Sequence, residues 1–209
     1  VGYYPVFLEM KDRTCVVIGG GAVAERKIEG LVAAGANVTV ISPGITDGLK
    51  ELLDEGAIRH VAREYQASDR AGYDLIFVAT DNSEINAAVF SEAQSLRIWV
   101  NSADDPDHCD FILPAVIRRG ELTVAVSTGG ASPAVTRVIR EDLDAYFTAD
   151  YAQLVQIAAE VRRELKEKSV AASAHAWNRA LKGDFRRLIK EERSEEAKKL
   201  LYKMLGAGS

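Results

Sequence analysis

The sequence predicts an α/β fold built on a doubly wound parallel sheet, followed by a small β-rich region and a helical C-terminal part. Three observations lead there. Short apolar runs and amphipathic stretches alternate over the first hundred residues, the pattern of parallel strands joined by right-handed helical crossovers. One run, Tyr73–Thr80 (YDLIFVAT), is apolar almost throughout, as a strand covered on both faces requires. Glycines or cap residues stand where the chain must leave an element: Gly19 to Gly21, Gly35, Gly56 and Asp81-Asn82-Ser83.

Taken in order, Arg13–Gly19 reads as the first strand and Ala22–Ala34 as a helix closed by Gly35. Asn37–Ser42 is the second strand, Ile45–Glu55 a helix closed by Gly56, and Ala57–Val61 the third strand. Tyr73–Thr80 follows, then a capped helix over Glu84–Ser95 and a strand over Arg97–Asn101. The pattern then changes. Phe111–Arg119 and Glu121–Ser127 are two apolar runs with Gly120 between them, the signature of a hairpin. A second glycine turn, Ser127-Thr128-Gly129-Gly130, precedes Ser132-Pro133, which opens a helix to about Phe147. Beyond 148, Tyr151, Leu154, Val155, Ala158, Val161 and Leu165 form an apolar stripe at helical spacing. Phe185, Leu188 and Ile189, then Leu200, Leu201 and Met204, mark further short helices. The expected division is 1–110 for the sheet domain, 111–147 for a middle region and 148–209 for a helical domain.

Composition bounds the function. A net charge of −5 over 209 residues argues against nucleic-acid binding through a bulk basic field. No apolar run reaches the about 20 residues of a membrane span, and a secretory leader is not evident. Cys15 and Cys109 lack a metal-like spacing and read as reduced thiols of a cytoplasmic protein.

The richest motif is Val16-Val17-Ile18-Gly19-Gly20-Gly21-Ala22-Val23-Ala24. A strand, a Gly-x-Gly-x-x-Ala turn and a helix in that order form a dinucleotide fingerprint, and the sheet is therefore expected to be Rossmann-like. Gly19 permits the sharp turn, Gly21 lets backbone N–H groups approach a pyrophosphate, and Ala24 packs helix on sheet. Gly19, Gly20, Gly21, Ala22 and Val23 are the expected phosphate contacts at a helix N-terminus. The acidic residue usual after the second strand is missing, since the chain reads Ile41-Ser42-Pro43-Gly44. Ser42 and the backbone at Pro43 and Gly44 are the expected ribose contacts. With no arginine there, NAD is favoured over NADP, because an uncompensated 2′-phosphate is costly to seat. Thr80 ends the fourth strand at the carboxyl edge, where ligands of open sheets bind. For Asp81 and Asn82, helix capping and ligand contact both stay open.

Asp104 leaves the fifth strand at the same edge, in Asn101-Ser102-Ala103-Asp104. A carboxylate there could accept a proton as a hydride leaves, and turn chemistry explains it equally well. His108, Cys109 and Asp110 are consecutive and seldom point at one ion, so no metal site is expected. Arg118, Arg119, Arg137 and Arg140 gather around the second glycine turn. Singly they suit a solvated face, and together they suggest a second anion site facing the first.

These motifs resemble those of the precorrin-2 dehydrogenase family, the module that also forms the N-terminal part of siroheme synthases. The resemblance begins at Tyr4-Pro5-Val6-Phe7-Leu8 and runs through GGGAVAERK at 19–27, FVATDN at 77–82 and Asn101 to Pro106. It continues through CDFILPA at 109–115 and VAVSTGGASPAVTRVIRE at 124–141. It implies NAD-dependent oxidation of precorrin-2 to sirohydrochlorin, with Fe²⁺ insertion as a second activity in some members. It also implies that Asp104 is the catalytic aspartate, that Thr128, Gly129, Gly130 and Arg137 meet the substrate, and that the middle region pairs two chains as a homodimer. Thr128 stands where relatives often carry serine. The alternatives are an NAD(H)-sensing regulatory module without catalysis and a porphyrinoid carrier or chelatase without nucleotide binding.

Overall fold

The computed structural model describes residues 2–70, 72–103 and 105–206. Two compact units are present, Val1–Leu113 and Pro114–Ser209. The hairpin and all of the helical tail fall within the second.

The first unit is a Rossmann-like sheet. Its strands are β1 (Thr14–Ile18), β2 (Asn37–Ile41), β3 (Ile58–Val61), β4 (Leu75–Val78) and β5 (Trp99–Ser102), all parallel, in the order β3-β2-β1-β4-β5. Connections are α1 (Ala22–Ala33), α2 (Asp47–Asp54) and α3 (Ser83–Leu96), with a short 3-10 turn at Ala67–Arg70. Period-two alternation divides the strand residues between two cores. Cys15, Val17, Val38, Val40, Leu75 and Phe77 pack with Ala24, Ile28 and Leu31 of α1 and Leu49 of α2. Val16, Ile18, Ile41, Ile76, Val78 and Val100 pack with Val89 and Ala93 of α3. Both faces are thus covered, which is why the strand sequences are continuously apolar. The order reverses at β1, so the crevice lies beyond the carboxyl ends of β1 and β4, the usual ligand position in open sheets.

The second unit begins with an antiparallel pair, β6 (Ala115–Arg119) and β7 (Leu122–Val126), turned at Gly120 with a positive φ of 57°. Residues 111–114 of the expected first run stay outside the hairpin. Helix α4 (Pro133–Tyr146) is capped by the Ser132 hydroxyl, which accepts from Val135 N at 3.3 Å. Then follow α5 (Asp150–Glu167), α6 (Ala174–Ala180), α7 (Asp184–Lys190) and α8 (Ser194–Met204). Their core contains Ile157, Val161, Leu165, Phe185, Leu188, Ile189 and Leu201. The α5 stripe differs from expectation at one point: Ile157, rather than Ala158, is the buried residue between Tyr151 and Val161. No described helix is long and apolar enough to cross a membrane.

Candidate functional site

The glycine loop is shaped by backbone contact. Gly19 has φ +114°, and a Cβ added there would collide with the Ala79 carbonyl beyond β4. Gly19 N donates to Ile41 O at 2.9 Å, and Thr46 N donates to Gly20 O at 3.1 Å. A Cβ on Gly20 would run into Gly44 O and Ser42 Oγ. These two glycines are required by the protein's own packing. Gly21 is different: nothing lies within 4 Å of its Cβ position, and it holds the N-cap of α1 with no side-chain cap. The first N–H groups of α1, from Ala22 and Val23 onward, therefore open on free space at the positive end of the helix. Gly44 has the same open space. This uncovered cradle fits the pyrophosphate of a dinucleotide.

Ser42 is placed otherwise than its sequence position suggests. It is buried, its hydroxyl hydrogen-bonds Gly44 O, and it accepts from Gly44 N at 3.2 Å. Its carbonyl meets His60 Nε2 of β3 at 2.9 Å. The side chain thus builds the turn after β2, and Pro43 and Gly44 are what the turn exposes. Thr80 is similarly engaged, with Oγ1 donating to Asn86 Oδ1 at 2.7 Å and accepting from Asn82 N at 3.3 Å. Asn82 caps α3, accepting from Glu84 N and Ile85 N at 3.0 and 3.1 Å. Thr80 to Glu84 line an open depression at this edge.

Position 104 lies outside the described residues. The described residues on either side of it are hydrogen-bonded to β4 and β5. Ala103 N donates to Val78 O at 2.8 Å, and Asp110 N to Val100 O at 2.9 Å. Val100 N returns a bond to Asp110 Oδ2 at 2.9 Å. Cys109 Sγ accepts from Ser102 N at 3.1 Å and lies 3.2 Å from Ser102 O. Burial pushes this thiol above its ordinary range, and the Ser102 N–H and the Lys27 charge act against that rise. His108 pairs with Asp105 at 2.7 Å and meets the ring of Phe90. The consecutive His108, Cys109 and Asp110 therefore serve three separate contacts. Among the described residues no group of three metal-type side chains converges.

In the second unit, Gly129 and Gly130 both have positive φ, 64° and 86°. The Thr128 hydroxyl accepts from Ser132 N and meets Thr136 Oγ1, each at 3.1 Å, so it ties the turn to α4. Of the four arginines, Arg119 pairs with Asp144 at 2.9 Å, while Arg118 and Arg137 are exposed. Sequence reading missed the contact between Lys27 of α1 and Asn101 of β5, at 2.8 Å. Their separation of 74 residues leaves no local signal.

Residues 6–115 match the model of a putative NAD(P)-binding family, and residues 119–146 match that of the central part of sirohaem biosynthesis proteins. The chain belongs to the NAD(P)-binding module family of siroheme synthases. A siroheme synthase of Methylococcus capsulatus is 39% identical over 99% of this chain and 44% of its own length. Another, from Methylobacillus flagellatus, is 42% identical over 78% of this chain and 35% of its own length. The chain thus spans less than half of these relatives. The solved structure of SirC, a precorrin-2 dehydrogenase, matches with a TM-score of 0.77 and 28% identity, covering 94% of this chain and 98% of that one. For this siroheme-synthase module, a nicotinamide cofactor follows from family and cradle together.

Proposed function

We propose that this chain oxidises precorrin-2 to sirohydrochlorin with NAD⁺. The observation that carries the reading is the near-complete overlap with a precorrin-2 dehydrogenase in both directions, on a chain whose glycine cradle is uncovered at Gly21. The oxidation removes a hydride and a proton from the macrocycle. When bound, the nicotinamide supplies the hydride acceptor. The chain's own residues supply position and the base: Gly19 to Val23 hold the pyrophosphate through backbone N–H groups, and the exposed Pro43-Gly44 turn meets the ribose. Ser42 and Thr80 act behind these contacts by fixing the two loops. The absence of a cation after β2 favours NAD over NADP. Asp104 takes the proton.

Substrate binding is assigned to the second glycine turn. Thr128 orders it, Gly129 and Gly130 give it its left-handed backbone, and the exposed Arg137 can pair with a carboxylate of the anionic macrocycle. Assembly as a homodimer through the middle region is supported by the absence of buried residues on α4 and by the exposed Val116, Val135, Val138 and Ile139. Placement in the cytoplasm and use of Fe²⁺ as a second substrate complete the reading. The deciding assay follows NADH formation when the chain is mixed anaerobically with precorrin-2 and NAD⁺. NADH appearing in proportion to sirohydrochlorin is expected; NAD binding without turnover would favour a sensing module instead.

A further inference from the structure

Lys27 sits on α1, in the second turn of the helix whose N-terminus forms the cradle. Its ammonium reaches across to β5 and donates to Asn101 Oδ1 at 2.8 Å. Asn101 is buried. It is one residue from the end of its strand, in register with Phe77 of β4. Its amide nitrogen donates to Phe111 O at 2.9 Å and lies 3.8 Å from Cys109 Sγ. A single buried amide thus joins the cofactor helix, the end of β5 and the return of the following loop. Bonds from Ser102 to Cys109 and from Val100 to Asp110 close the same loop. The bonds from Ser102 and Val100 tie Cys109 and Asp110 back to β5, and Lys27 brings a positive charge to Asn101 on the same strand.

A buried amide needs partners for its oxygen and its nitrogen. A neutral donor on α1 would satisfy Asn101 Oδ1 as well as a lysine does. The charged donor does more: it stabilises negative charge nearby, and its effect is felt as far as the Cys109 thiol. We propose that Lys27 is a positioning residue for the oxidation: held on Asn101, its ammonium fixes the end of β5 and sets the charge beside the loop that carries the catalytic aspartate. This inference rests on the proposed oxidation of precorrin-2.

The experiment compares wild type, Lys27→Met and Lys27→Arg for NAD⁺ affinity, for kcat and KM with precorrin-2 across pH, and for the pH dependence of Cys109 reactivity toward a thiol reagent. Cys15, fully buried, is the unreactive internal control. Lys27→Met is expected to keep NAD⁺ affinity within about twofold and to lower kcat roughly 10- to 100-fold, as loss of alignment does. It should also move the acid limb of the kcat profile upward and raise the pH at which Cys109 reacts. Lys27→Arg should restore most of kcat. Unchanged kcat and pH profile in Lys27→Met would overturn the role of Lys27 alone. Equal losses of folding and NAD⁺ affinity in both variants would also overturn it, by making the residue merely structural. A wild-type chain that binds NAD⁺ but leaves precorrin-2 untouched overturns the oxidation reading with it.

Discussion

The two units of this chain are built on opposite plans. In the first, a parallel sheet is sealed on both faces by apolar layers, and the loops of the candidate site gather at one edge. In the second, one apolar cluster holds α5 to α8 together. Its surface carries ion pairs joining α5 to α8 and lining α7 and α8, such as Lys198 with Glu160 and Glu164 at 3.0 and 3.1 Å. No residue of helix α4 is fully buried. The difference separates two demands. A phosphate cradle must be rigid before its ligand arrives, so its loops are fixed by main-chain contact and by the Ser42 and Thr80 hydroxyls. A surface meant for a large flexible anion or a second copy can leave apolar and cationic side chains exposed.

The sharpest way to test that separation is through Asp104. Asp104→Ala is expected to lower precorrin-2 turnover by about 10²- to 10⁴-fold, the range of general-base removal, with NAD⁺ affinity unchanged by fluorescence titration. Residual activity above a tenth of wild type would remove the assignment. In the second unit, the corresponding blow falls on packing. Phe185 is fully buried in the helical core, and Phe185→Ala should cost about 3–5 kcal/mol in chemical denaturation. Its effect on NAD⁺ affinity in buffer should be small, and a large loss would show that the two plans are energetically joined.

Gly21→Asp reverses the emphasis. Its Cβ meets nothing and its φ of −84° is ordinary, so the melting temperature should hold. A carboxylate at the helix N-terminus would occupy the anion's place, weakening NAD⁺ by roughly 30-fold or more. Gly19→Ala should do the opposite, losing stability first, because its Cβ strikes Ala79. The smallest effect concerns the ion pairs. Glu160 and Glu164 are held below the usual carboxylate range by hydrogen bonds, from Lys198 first for Glu160 and from Tyr202 first for Glu164. Such lowered groups stabilise the fold above the ordinary carboxylate pKa and lose that contribution as pH falls through their folded values. Lys198→Met should therefore lose less stability than wild type between pH 7 and pH 3, measured by thermal melting.

Much of this was legible in the sequence. The five strands, the glycine turn and the hairpin follow from apolar runs, β-branched residues and glycine positions, all of which are local signals. What was not legible depends on residues far apart in the chain. Ser42 reads as a ribose contact because it stands where dinucleotide folds place a polar group. Its inward turn depends on Gly44 and on its carbonyl meeting His60, eighteen residues on. The bond between Lys27 and Asn101 joins residues 74 apart in the chain, so no local pattern announces it. Ile157 takes the core position on α5 because packing against α7 and α8 selects the helix face, which periodicity alone defines only within about one residue.

The close approach of Gly19 to the Ala79 carbonyl has a thermodynamic consequence. Two loops leaving neighbouring strands are wedged together, so the cradle has few alternative shapes to abandon when a ligand docks. It behaves as a template, not a latch. Calorimetry of NAD⁺ binding should show a heat-capacity change matching the ligand surface covered, with no additional contribution from loop ordering.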